Sequence, residues 1–184
     1  MAHEAITQAQ NIKLSFYLEG AKPYHAKPFP IPKIHEKTLK PIDNRLIKID
    51  VLKRKNNSKW ADPIFIIPKI NGIVRFISNL RELNQRIKRK SFPFPKTQDF
   101  LFNLEGFKYA TSLDLNMGYY HIKLCPFPRK LCTMVLPWGK YEYQELPMGL
   151  CNSPDIFQEK EKISCDEMLL DNFSILLVVV IIIL

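Results

Sequence analysis

One acid stands out for its surroundings. Asp114 lies between Leu113 and Leu115, at the end of an apolar run and four residues before Gly118. A carboxylate there is costly to bury unless it meets a cation or a metal, or caps the strand end. Lys69 and Arg75 form a second group, one on each side of Asn71-Gly72. A compact ammonium and a forked guanidinium suit a polyphosphate, although a hairpin edge also carries such charges simply to discourage aggregation. Arg86, Lys88, Arg89 and Lys90 put four bases into five positions, which fits either a phosphate-backbone contact or a solvated loop. Cys125, Cys132, Cys151 and Cys165 form no C-x-x-C pair, and no histidine stands at zinc-knuckle spacing from them. They read as reduced thiols in or near a core.

The elements that must position these residues are punctuated by proline. Pro23, Pro28, Pro30 and Pro32 keep that stretch extended, and residues 1–40 are expected to form an irregular arm wrapped on the domain or a linker. Leu39, Ile42, Leu46, Ile47, Ile49 and Leu52, separated by charges, predict an amphipathic helix over Pro41–Lys53. Asn56-Asn57-Ser58 then turns the chain. Two β-rich runs, 63–68 and 74–78, flank Asn71-Gly72 and predict a hairpin with a basic tip. Residues 98–104 read as a helix ended by Gly106, and 109–115 as the strand that delivers Asp114. A second hairpin joins 131–136 to 141–146, and a helix starts at Ser153 with Pro154 in its first turn. Tyr119 and Tyr120, read as strand neighbours, would point to opposite faces. Hairpins and helices without regular βαβ alternation indicate an α+β fold.

The 184 residues carry 27 Lys and Arg against 18 Asp and Glu, a net charge of +9, with 46% hydrophobic and 24% charged residues. That composition excludes a disordered tail or an integral membrane protein overall, and points to a polyanionic partner. No apolar signal segment is visible near Met1, so the expected location is intracellular, cytoplasmic or nuclear. The apolar run 175–184 is half the length a spanning helix needs. It reads as a buried strand or an aggregation hazard.

The segment Ser112-Leu113-Asp114-Leu115-Asn116-Met117-Gly118-Tyr119-Tyr120-His121-Ile122 resembles the first carboxylate motif of reverse transcriptases of gypsy-type LTR retrotransposons. Arg75-Phe76-Ile77-Ser78-Asn79-Leu80-Arg81-Glu82-Leu83-Asn84 resembles the fingers motif before it. Trp138–Tyr143 and Leu146–Gln158 resemble the two motifs after it. The resemblance covers about residues 24–160 and implies right-hand polymerase fingers with a partial palm, spanning 41–160 and followed by a divergent tail at 161–184.

On these positions the resemblance implies an RNA-directed DNA polymerase working by two-metal nucleotidyl transfer, with Mg²⁺ or Mn²⁺ as cofactor. Asp114 would be the catalytic metal ligand. Lys69 and Arg75 would fold over the triphosphate of a dNTP. Tyr119 would reject a 2′-OH, and Met148 and Gly149 would line the nucleotide pocket. Arg81, Arg86, Lys88, Arg89, Lys90 and Gln158 would face the RNA or DNA template-primer. The remaining parts of a retrotransposon polyprotein are expected as partners, and a membrane is not.

The departures bear on activity. Asn79 stands where the family usually has Asp, and Ile70 where a second Lys is common. The family's second motif, an aromatic, any residue and two aspartates, is not found after Gln158, where residues 176–184 hold no acid. One carboxylate cannot hold two divalent ions. The expected product is therefore a fragment inactive on its own. The competing readings are a nucleic-acid-binding module without chemistry, and the non-functional product of a decayed element.

Overall fold

The computed structural model describes residues 22–68, 74–93 and 117–160 in full, and the backbone path of 109–114, 161–168 and 175–180. The first helix, α1 (Lys33–Lys48), buries Leu39, Asp43 and Leu46. These recur at four and three residues, so they share one face. The sequence reading placed this helix eight residues later, at Pro41–Lys53, and left 33–40 irregular. Pro41 misled it. Proline is favoured at a helix start, yet here it sits inside α1, and Pro32 is the residue that precedes the first turn. The helix ends at Lys48, and Asp50, with φ 60°, turns the chain into an extended strand.

That strand, β1 (Leu52–Arg54), opens a five-stranded sheet with β2 (Asp62–Pro68), β3 (Val74–Ser78), β5 (Thr133–Leu136) and β6 (Gly139–Tyr143), in the order β1-β6-β5-β2-β3. The hairpins β2–β3 and β5–β6 were legible in the sequence, and both are antiparallel. β2 runs parallel to β5 and so joins the two hairpins into one sheet. The arm before α1 adds to the same surface. Ala26 N donates to the Ala61 carbonyl and Ala61 N to the Tyr24 carbonyl, both at 2.9 Å.

Leu39 and Leu46 of α1 pack with Leu52, Ile64, Met134 and Tyr143 of the sheet in a single core. α2 (Arg81–Asn84) follows β3 at once and buries Leu83. The chain between 94 and 108, with the expected helix at 98–104, lies outside the described residues, as does the hairpin tip at 69–73.

β4 (Tyr109–Asp114) pairs in parallel with β7 (Ile175–Val180), so the described part of the apolar tail is a strand. Between β4 and the second hairpin lie a 3₁₀ turn, Gly118–His121, and α3 (Pro126–Leu131). α3 was not anticipated, and it takes Leu131 from the expected strand. Pro126 and Pro128 look like helix breakers, but they occupy the first turn, where a missing N–H costs nothing. α4 (Ser153–Met168) begins where Pro154 indicated. No helix among the described residues is long and apolar enough to cross a membrane.

Candidate functional site

The described residues converge on the end of β3, the 3₁₀ turn, the loop 147–152 and the first turns of α4. Arg75, half-buried on β3, donates Nη2 to the Met148 sulfur at 3.9 Å. Two residues that the sequence assigned to one nucleotide pocket, 73 positions apart, are therefore in contact. Beside them Gly149 has φ +93°, a region that disfavours side chains, and a Cβ there would stand 3.5 Å from the Ser78 carbonyl. Glycine is needed here mainly for its backbone angle.

Tyr119 is buried in the 3₁₀ turn and meets Phe157 of α4 edge to face, with ring centroids 5.1 Å apart and planes at 78°. Tyr120 stacks on Tyr143 at 6.5 Å. The two tyrosines thus take different partners from a helical turn, and not from opposite faces of a strand as expected. Met117, which opens the turn, holds φ 57° without being glycine.

The loop 147–152 is held by polar ties. Asn84 donates Nδ2 to the Gly149 carbonyl at 2.9 Å and accepts from Cys151 N at 2.8 Å. Ser153 Oγ donates to the Pro147 carbonyl at 2.7 Å, and Asn152 Nδ2 to the Lys88 carbonyl at 3.2 Å. Asp155, buried in the first turn of α4, accepts from Arg89 Nε at 2.8 Å and from Phe92 N at 2.9 Å. Burial raises its carboxyl, but the Arg89 and Phe92 hydrogen bonds outweigh this and hold it below the ordinary aspartate value. Asn84 and Asp155 lie within the motifs, yet their residue types alone announce no task for them. Their role as ties between segments 65 residues apart depends on packing that no local pattern encodes.

The basic stretch is also more engaged than its composition suggested. Arg86 bonds the carbonyl and carboxylate of Glu82, and its guanidinium lies 5.9 Å from the Tyr24 ring centre and 6.0 Å from that of Trp60. Lys90 pairs with Glu159 at 3.9 Å. Arg81 is exposed on α2, and Gln158 is half-buried on α4. Lys69 lies outside the described residues. Asp114 stands at the last position of β4, in register with Val180 of β7.

That pairing bears on metal binding. The strand beside Asp114 supplies isoleucine, leucine and valine, and no acid. Among the described residues no group of three or more His, Cys, Asp or Glu could hold an ion. The described residues do not make up a two-metal centre. Cys125, Cys132 and Cys151 are free thiols, and burial raises the Cys132 thiol far above its ordinary value.

No family model matches the chain. It is 34% identical over 155 residues to the retrovirus-related Pol polyprotein of the transposon opus of Drosophila melanogaster, covering 80% of this chain and 15% of that protein. It is 32% identical over 120 residues to the Pol polyprotein of the Drosophila melanogaster transposon gypsy, covering 62% and 12%. To a putative enzymatic polyprotein of cassava vein mosaic virus it is 31% identical over 121 residues, covering 62% and 19%. The chain thus spans less than a fifth of these relatives.

Among solved structures, it matches the prototype foamy virus protease–reverse transcriptase with a TM-score of 0.74 at 24% identity, over 86% of this chain and 21% of that one. A foamy viral protease–reverse transcriptase in complex with double-stranded DNA gives 0.65 at 16% identity, over 88% and 28%. These likenesses carry the fold: α+β, reverse-transcriptase-like.

Proposed function

We propose that this chain, a reverse-transcriptase segment related to the Pol polyproteins of gypsy-type retrotransposons, binds a nucleic-acid template-primer and a deoxynucleoside triphosphate but does not polymerise by itself. The contact between Arg75 and Met148 carries the reading. It brings the β2–β3 hairpin and the loop before α4 to one place, as a nucleotide site shared between fingers and palm requires. Arg75 would present its guanidinium to the triphosphate, with Lys69 joining it from the hairpin tip. Gly149 would admit the nucleotide close to the backbone, and Tyr119, seated on Phe157, would stand under the sugar. Asp114 would be the inherited catalytic carboxylate. Divalent ions supply charge neutralisation in this class of reaction. With Val180 beside Asp114, the described residues offer no second carboxylate pair to hold them, so no catalytic step is assigned to this chain.

Template contacts fall to Arg81, Lys88 and Gln158, with Arg86, Arg89 and Lys90 lining the same stretch. Primer extension on an RNA template with Mg²⁺ or Mn²⁺ should give no product, while a labelled template-primer should bind with a salt-dependent affinity. Template-dependent extension that disappears in Asp114→Ala would overturn the inactive reading. Undetectable nucleic-acid binding at low salt would overturn the binding one. The relatives are polyproteins, and the rest of such a polyprotein is the partner most suited to complete the palm.

A further inference from the structure

The charge is not confined to where the motifs put it. Residues 33–59 hold nine Lys and Arg against three acids, a net +6 of the chain's +9. They form α1, the turn after it, β1 and the loop beyond. At 100° per residue, Lys33, Lys37, Arg45 and Lys48 of α1 fall within about 120° of arc, opposite the buried Leu39, Asp43 and Leu46. No acid lies in that arc. A helix face that is merely solvated mixes both signs.

Lys48 ends the stripe where the chain turns into β1, against which α1 packs. β1 is an edge strand: its one partner among the described residues is β6. Lys53 and Lys55 continue the charge along it, exposed, with Lys55 N bonded to the Lys140 carbonyl. Among the described residues, none of Lys37, Arg45, Lys48, Lys53 and Lys55 forms an ion pair. Of the five bases assigned to the template-primer, Arg86, Arg89 and Lys90 are each paired with an acid. Residues 33–59 thus hold five bases outside any ion pair among the described residues.

We propose that the outer face of α1 and the edge of β1 form a second polyanion-binding surface, and that its partner is the phosphate backbone of a nucleic-acid strand beyond the nucleotide site. Lysines in a row are point charges, which read a backbone without reading sequence. A lipid surface fits less well. It would need a contiguous apolar patch to insert, whereas the exposed Ile34 stands 13 positions and about 20 Å along α1 from Ile47, which has only Ile49 beside it. This surface presupposes a chain that binds nucleic acid, and the test keeps the two ideas apart.

The test uses the full chain and a fluorescent single-stranded DNA 30-mer, with anisotropy followed across a salt series. The triple variant Lys48→Gln, Lys53→Gln, Lys55→Gln should reduce the slope of log affinity against log salt by about 2, given a release of about 0.7 per single-strand phosphate contact. The double variant Lys88→Gln, Lys90→Gln serves as the internal comparison, and both variants should keep the wild-type melting temperature. An unchanged slope in the triple variant, with a reduced one in the double, overturns the second surface and leaves the proposed function standing. Absence of DNA binding by the wild type overturns both. Binding to phosphatidylserine vesicles that the triple variant loses, with its DNA slope intact, overturns the nucleic-acid partner.

Discussion

Arg89 and Asp155 form an ion pair in which only the acid is buried: the Asp155 side chain is 2% exposed, that of Arg89 59%. The acid also accepts from Phe92 N, so one carboxylate on α4 fastens both the base and the backbone of the 86–92 stretch. The arrangement serves the fold whatever Arg89 does toward a phosphate.

Asp155→Ala should therefore destabilise the chain by roughly 1–3 kcal/mol, because Phe92 N–H and the Arg89 guanidinium lose their buried acceptor together. The folded carboxyl lies below its unfolded value of 3.8. Its contribution is thus complete above pH 4 and falls away as pH drops through the lowered value. Urea unfolding at pH 7 and pH 3 checks this: the variant should lose stability at pH 7 and differ less from wild type at pH 3.

Asp62 behaves in the opposite sense. It is 1% exposed on β2, neither oxygen has a hydrogen bond among the described residues, and burial pushes its pKa to about 7, with Arg86 opposing and Glu82 reinforcing the rise. Since the folded value exceeds the unfolded 3.8, stability is highest below pH 4 and falls as pH rises to about 7. Asp62→Asn should gain on the order of 2 kcal/mol at pH 8, and much less at pH 4, by denaturant titration. Asp43, pushed up to about 6 by burial against a hydrogen bond from Trp138 Nε1, adds a smaller slope of the same sign.

Phe157→Ala should cost about 3–5 kcal/mol, as for a large aromatic removed from a core. It would also release Tyr119 from its edge-to-face contact. Tyr119→Phe keeps that ring contact and should cost less than Phe157→Ala. A scan of thermal melts separates the two, and equal losses would show that the Tyr119 hydroxyl, not the ring contact, secures the turn.

Gly149→Ala tests backbone rather than space. The added methyl meets the Ser78 carbonyl at an ordinary 3.5 Å, but φ +93° is strained for alanine, at about 1–3 kcal/mol. A melt lowered by that amount, with far-UV circular dichroism unchanged, is the expected result.

Much of the fold was legible because its signals are local. Asn71-Gly72 between β-rich runs marked β2–β3, and Ser153-Pro154 marked the start of α4. Proline misled the same reading twice, at Pro41 and at Pro126, since its tolerance depends on which turn of a helix it occupies. For the candidate site, residue types alone named Arg75 and Met148, and their contact across 73 positions comes from packing that no local pattern encodes. What no pattern announced was how the basic stretch is spent. The partner of Arg89 lies 66 positions away, and only tertiary packing brings it there.

The strand order carries a cost in time. Leu52 of β1 pairs with Tyr143 of β6, 91 residues later in the chain. At about 5–20 residues per second, a ribosome needs roughly 5–18 s to deliver that partner. Through that interval α1 and β1 have emerged with their sheet neighbour still unmade, and β2 waits for β5 in the same way. The nascent chain therefore shows its apolar half-sheet to the cell before it can close it, and its survival depends on what meets it at the ribosome exit.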